Sequence, residues 1–372
     1  MKKHNQQGLS LLELMIALAL GLVLVAVAVQ MFISSQANLA LQRSLGDLQD
    51  NGLFGIDYVA KDLRKINLGA ALPVLDSKIA QGGIVLSFDN IIGSNAERIS
   101  VSGLTGGHLS LAEPLTGTSN FTDEKSDQLT IQYKAVQNIY DDATFLRKIN
   151  NGLSDNEKQT VVSYDCEGRK IVLEDVANQI YIVQRYYVAP TTGRTVAAGT
   201  KNPDLALYCD AGRYPFSAVE NAYAATAGEN RVVAVSGMGS DAQVVLRRVD
   251  HFRVLLGVAA GGYKDSTKFG YLDIGTYTKL AAQDLPKIRS VKLGLVIRSQ
   301  DRVPNASVKT ENKFKILDLE QAQLEGGQDQ YMRQVLTQTV ALRNALGEDL
   351  RTDVIATSTP ATSDSNDQEA AP

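Results

Sequence analysis

The chain reads as an α+β protein: one long N-terminal helix, then a mostly antiparallel β domain, then a polar, acidic end. Three observations predict this. From Leu14 to Ile33 run 20 residues whose only strongly polar member is Gln30. From Leu41 to Ile66 apolar residues and glycine recur at three- and four-residue steps. Further on, apolar and polar residues alternate, the period of strands rather than of helices.

The first segment is long enough to cross a hydrocarbon core about 30 Å thick. Lys2 and Lys3 precede it, and no charge follows until Arg43. The positive-inside rule therefore puts the N-terminus in the cytoplasm and the rest outside. Glu13 stands at the head of this apolar run. A carboxylate there costs about 3 kcal/mol even on lenient insertion scales, so it needs a cation in the same layer. Ala26-Val27-Ala28 fits the small-x-small site of an ordinary secretory signal, but such a signal has no use for Glu13, and the helical pattern continues past it.

The continuation is an amphipathic stripe of Leu41, Leu45, Leu48, Gly52, Ile56, Val59, Leu63 and Ile66. Together the two parts predict one helix from about Ser10 to Asn67, roughly 85 Å long. Gly46, Gly52 and Gly55 cost about 1 kcal/mol each relative to alanine, which marks the middle as a place for bending or melting. Asn67-Leu68-Gly69 and Pro73 supply the stop.

The leader ending in Gly8, followed by Leu9-Ser10-Leu11-Leu12-Glu13-Leu14-Met15-Ile16-Ala17, resembles the class III leader of type IV prepilins and type II secretion pseudopilins. The resemblance implies cleavage after Gly8 by a membrane prepilin peptidase and methylation of the new amine on Leu9. It also implies that Glu13 pairs with the N-terminal ammonium of a neighbouring subunit during assembly. Leu9 stands where the family most often has phenylalanine, and the helix-kinking proline of many major pilins is absent. Elementary chemistry agrees with this assignment. Gly8 lets an extended backbone enter a protease cleft, and a freed ammonium and Glu13 would each relieve the other's cost in an apolar layer.

Strands are predicted at Leu129–Tyr133, Lys170–Leu173, Ile180–Val188, Arg231–Val235, Val244–Val258, Val291–Arg298, Phe314–Leu317 and Val335–Leu342. In the Val291 strand the odd positions are apolar, and the face of Lys292 and Arg298 reads as solvated. Glycine-bearing turns at 105–107, 150–152, 192–193 and 237–239 separate these elements. Cys166 and Cys209 are the only cysteines. In an exported domain pairing is the default, and it would close a loop of about 43 residues for roughly 4 kcal/mol of chain entropy.

Val249-Asp250-His251-Phe252-Arg253-Val254-Leu255-Leu256-Gly257-Val258, then Val291 to Ser299, then Thr337 to Asn344, in this order, resemble the closing blocks of PilW-type minor pilins. This implies a role with other minor pilins and the major pilin in priming a filament at the inner-membrane assembly platform and sitting at its tip, in support of pilus biogenesis, twitching motility and adhesion. Arg343 and Asn344 are expected to tie down the last strand. The predicted organisation is a leader at 1–8, a pilin helix at 9–67 (9–33 transmembrane, 34–67 amphipathic), a periplasmic β-rich domain at 68–348 and a flexible tail at 349–372. A minor pseudopilin of a type II secretion system or an anchored periplasmic binding protein are the alternatives.

No catalytic pattern competes with this reading. His108, expected in a loop, and His251, expected exposed on a strand, are isolated, with no cysteine pair nearby, and no CxxC spacing, phosphate loop or nucleophile elbow occurs. No cofactor, metal or small-molecule substrate is predicted, although acidic loops at Asp141-Asp142 and Asn150 to Glu157 could hold calcium without its ordered ligand spacing. A net charge of −4 with no basic run of five gives no attraction to nucleic acid. N-terminal sequencing of the mature chain discriminates the readings: methylated Leu9 is expected, whereas Val29 would mean an ordinary secretory signal.

Overall fold

A computed structural model describes residues 10–93, 99–111, 117–136, 161–191, 202–225, 231–239, 241–260, 268–281, 285–303, 312–327 and 329–347. The first helix, α1, spans Leu11–Leu63 as one uninterrupted element. It stops a few residues before Asn67, because Lys65 and Ile66 bond back three residues and Asn67 adopts φ +63°. The side chain of Asn344 reaches across to donate to the Arg64 and Ile66 carbonyls at 3.3 and 3.0 Å, satisfying groups a helix end leaves open. Asn67 Nδ2 in turn donates to the Asn344 and Leu72 carbonyls, and its Oδ1 accepts from Gly83 N–H. Asn344 therefore locks the helix end rather than the last strand, and Arg343 is exposed.

The strands are β1 (Ser100–Ser102), β2 (Leu129–Lys134), β3 (Val161–Tyr164), β4 (Lys170–Val172), β5 (Ile180–Pro190), β6 (Leu205–Pro215), β7 (Val232–Ala234), β8 (Gln243–Arg247), β9 (Val249–Ala260), β10 (Lys268–Asp273), β11 (Lys287–Arg302), β12 (Lys313–Ile316), β13 (Leu319–Gln323) and β14 (Tyr331–Ala341). Two antiparallel sheets dominate, a central one in the order β2-β5-β6-β8 and a C-terminal one in the order β10-β9-β11-β14.

The predicted strand Val244–Val258 is two strands in two different sheets. Arg248, at φ +58°, breaks it, so β8 stays on β6 while β9 pairs with β11. Strand β6 escaped the sequence reading for a physical reason. Its residues from Leu205 to Gly212 are buried on both faces, so no alternation marks it.

One core joins α1 to both sheets. Leu48, Ile56, Val59, Ala60 and Leu63 of the helix pack with Leu129, Ile131, Tyr186 and Leu207 of the central sheet and with Phe252, Val254, Leu293, Leu295 and Ile297 of the C-terminal sheet. The central region thus shares the main core instead of forming a unit of its own. A second cluster, with Tyr181, Val183, Tyr214 and Val235, covers the opposite face of the central sheet. Tyr186 donates to Asp62 at 2.6 Å and joins α1 to β5 in the buried layer.

The glycines in α1 have a different use from the one predicted. A methyl group at Gly52 would collide with Leu336 and Ile297, and one at Gly55 would lie 2.6–2.9 Å from three carbons of Leu246. They are the points of closest approach between helix and sheets, whereas Gly46 has nothing within 4 Å. Of the predicted stripe, only Leu45 turns outward, at 40% exposure.

The far face of β11 is not solvated throughout. Val296 is buried under the β12–β13 hairpin with Phe121, Phe314 and Ile316. Arg298 is also buried, donating to the Asn202 and Pro203 carbonyls and pairing with Asp204 at 3.1 Å. Lys292 is half-buried over the Tyr271 ring.

His251 is likewise buried, against the expectation of exposure, because the 119–121 segment covers it. Its Nδ1 shares a hydrogen with Ser119 Oγ at 2.9 Å, and Phe121 meets the ring edge-on. Burial and the neighbouring Arg253 hold it neutral, lowering its pKa from 6.5 to about 3. Asp127 accepts from Val254 N–H at 2.7 Å and from Arg253, yet burial outweighs the arginine and lifts its pKa from 3.8 to about 7.

Two predictions follow from the packing. Gly46→Ala should raise unfolding stability by about 1 kcal/mol, and Gly55→Val should lower it by about 1–3 kcal/mol; a denaturant titration in which both change alike contradicts the close-approach account. The two buried titrating groups act in opposite directions. His251 loses stability as pH falls from 6.5 toward about 3, because the unfolded chain takes the proton first. Asp127 loses stability as pH rises from 3.8 toward about 7, because the unfolded chain releases its proton first. Across the overlap the slopes oppose. His251→Gln should unmask stability that falls with rising pH, and Asp127→Asn stability that rises, each by up to about 1.4 kcal/mol per pH unit. Parallel pH profiles for the two variants would refute this.

Candidate functional site

The head of α1 is built by a reciprocal cap. Ser10 sits in extended backbone at ψ 149°, its Oγ accepts from Glu13 N–H at 3.2 Å, and Glu13 Oε2 accepts from Ser10 N–H at 2.9 Å. This is a capping box, and its signature in the sequence is serine and glutamate three apart before an apolar run. Glu13 therefore has a local partner already, in addition to any cation it meets elsewhere. Gly8 and Leu9 lie outside the described residues.

Beyond the cap, the apolar side chains of α1 as far as Ile33 are exposed, from Leu11 at 78% to Ile33 at 63%, and none packs on the domain. Among the described residues α1 is the one helix long and apolar enough to cross a membrane. Further along, the inner face enters the core while the outer face keeps Leu53, Phe54 and Tyr58 exposed, Phe54 at 80%. Asp57 and Lys61, 3.5 Å apart, flank that outer patch. The chain thus presents an apolar surface, first all round and then on one face, along a single uninterrupted helix.

The other features offer less. A polar groove of about 350 Å³ is lined by Asp204, Arg248, Arg298, Gln300, Asp301 and Tyr331, two arginines balanced by two aspartates. His108 lies in the loop turn Gly106–His108, where its Nδ1 accepts from Thr105 N–H. Burial and Arg185 lower its pKa. Cys166 and Cys209 are bonded, with Cα atoms 6.0 Å apart, tying the turn after β3 to the middle of β6. Beside the bridge, Asp165 pairs with Arg169 and Arg213, and Asp210 with Arg185. Among the described residues no three His, Cys, Asp or Glu side chains are grouped to hold a metal. The loops at Asp141-Asp142 and Asn150 to Glu157, and the tail from 348, lie outside the described residues.

Comparison with known proteins bears on the two ends of this architecture. Residues 3–29 match the model of the prokaryotic N-terminal methylation motif. Residues 219–344 match the model of the type IV pilus-assembly protein W family, PilW, a stretch that ends on Asn344. No curated protein matches the chain. Among solved structures, a type IV-like pilin from Thermus thermophilus aligns over 80% of this chain and 96% of its own, at 10% identity and a TM-score of 0.32, too distant to carry any argument. The two family matches, one on the exposed head of α1 and one on a stretch that includes the sheet its lower half packs against, support a likeness to PilW-type type IV minor pilins with a class III leader.

Proposed function

We propose that this minor pilin helps prime type IV pilus assembly and occupies a place at or near the filament tip, without catalysing a reaction. The observation that carries the reading is the division of α1: its lower half is part of the domain core, while its upper half is apolar and exposed and its outer face keeps Leu53 and Phe54 exposed. Such a surface needs lipid before assembly and other pilin helices after it. The chain would sit in the inner membrane with residues 1–8 cytoplasmic, 9–33 in the bilayer and 68–348 in the periplasm, and then pass into the pilus on the cell surface.

In this scheme prepilin peptidase cleaves between Gly8 and Leu9, and the amine of Leu9 is methylated. The freed ammonium then becomes the cation for Glu13 of a neighbour, which fixes axial register between subunits. Other minor pilins, the major pilin and the assembly platform are the partners, and twitching motility and adhesion would be consequences of the filament. The leader is common to pilins and type II secretion pseudopilins; the match over 219–344 favours the pilus.

The capping box permits a clean test. Glutamine at position 13 preserves a capping box, since it too can accept from the N-cap N–H, but it removes the charge. Glu13→Val and Glu13→Gln should both insert in the membrane and both be depleted from sheared surface filaments. Normal filament levels of Glu13→Gln would mean that the cap, not the charge, is what matters, and would overturn the pairing.

A further inference from the structure

The Cys166–Cys209 bridge has a route to α1. Gln184 and Tyr186 stand two apart on one face of β5, opposite Ala211 and Cys209 of β6. Both grip Asp62 of α1, which is buried. Tyr186 donates to it at 2.6 Å. With its amide turned so that the nitrogen donates to Asp62 at 3.2 Å, Gln184 accepts from Cys166 N–H at 2.8 Å. Gln184 is itself fully buried, so its amide relies on these partners. The bridge positions the backbone that holds Gln184, and Gln184 holds the carboxylate of the helix.

Reduction would disturb this series of contacts at its start. A disulfide becomes two thiols, which cannot stay at bonding distance and must move apart to van der Waals contact. The core around them is close-packed and has no spare room. Cys209 is fixed in mid-sheet, with β5 on one side of it and β8 on the other, so the turn after β3 takes up the movement. That turn keeps other ties to β6: Arg213 pairs with Asp165 at 3.0 Å, and Ala211 N–H donates to Glu167 at 2.9 Å. It therefore shifts without detaching, and Cys166 N–H leaves Gln184. A buried amide and a buried carboxylate then lose bonds beside the last turns of α1.

We infer that the bridge is a redox switch on the docking of α1. The oxidised chain holds the helix from Val59 to Leu63 against β5, and the reduced chain folds with this stretch released. Closing the switch joins the two sulfurs and breaks the disulfide of a donor, protein or small molecule, which takes up the two electrons and two protons and leaves as thiols. Cys209 is fully buried and Cys166 is 7% exposed, in one cluster with Leu48, Val59 and Leu63 of α1. Exchange needs an accessible sulfur. Oxidation therefore precedes docking, and the docked core then shields the bridge from reductants. The switch is independent of the assembly reading above.

Hydrogen exchange of the full-length chain in detergent micelles, either oxidised or kept reduced with dithiothreitol from synthesis onward, tests this. On reduction, amides from Val59 to Leu63 should lose about tenfold more protection than those of β11, the effect of a buried bond lost locally. Equal loss in both segments would make the bridge a general stabiliser, and a reduced chain that does not fold would make it a requirement for folding. Either result overturns the switch. Gln184→Met, which removes the amide and keeps an unbranched side chain, tests the route. It should loosen Val59–Leu63 by a similar factor in the oxidised chain and add nothing in the reduced one. Unchanged protection in the oxidised variant, or an additive loss in the reduced one, would overturn the coupling through Gln184.

Discussion

The close approach of α1 to the two sheets at Gly52 and Gly55 is the contact on which the rest of the structure depends. Leu336, Ile297 and Leu246 occupy the space where side chains on the helix would stand. Because the backbone comes this near, the helix stripe, the central sheet and the C-terminal sheet enclose one core instead of two. The same glycines weaken the helix intrinsically, so its lower half depends on the sheets for stability. A residue type that reads as a flaw in an isolated helix is here the condition for docking.

That docking divides one helix between two environments. Below about Ser44 in the chain the helix is exposed; beyond it, the inner face is buried and the outer face stays open. The lock at the far end completes the arrangement. Asn344 holds the Arg64 and Ile66 carbonyls just past the end of α1, and Asn67 answers with a bond to the Asn344 carbonyl, so the end of the sheet domain and the end of the helix fix each other. The Tyr186–Asp62 contact and the Cys166–Cys209 bridge then tie the central sheet into the same frame.

Much of this was legible in the sequence where a single period governs a segment. The long helix, the apolar head and the Val291 strand follow from spacing alone, and the cysteine pair followed from the inferred compartment. The failures have a common cause: they occur where burial is set by something distant in sequence. β6 is covered on both faces and shows no alternation. His251 and Arg298 look like surface residues, but the 119–121 and 202–204 segments close over them. Arg248 breaks a run that periodicity joins, because a left-handed arginine leaves no compositional mark. The Ser10–Glu13 cap is different in kind, since its three-residue spacing before an apolar run is visible in the sequence and both of its hydrogen bonds are local.

The central claim is that the lower half of α1 is an integral part of the domain while the upper half is held only by what surrounds it. Hydrogen exchange of the full-length chain in detergent micelles tests this most directly. Amides from Leu48 to Leu63 should open only with global unfolding, at the same free energy as those of β11, while protection from Leu11 to Ile33 should depend on the detergent. Exchange of Leu48–Leu63 that is independent of β11 and much faster would contradict the account.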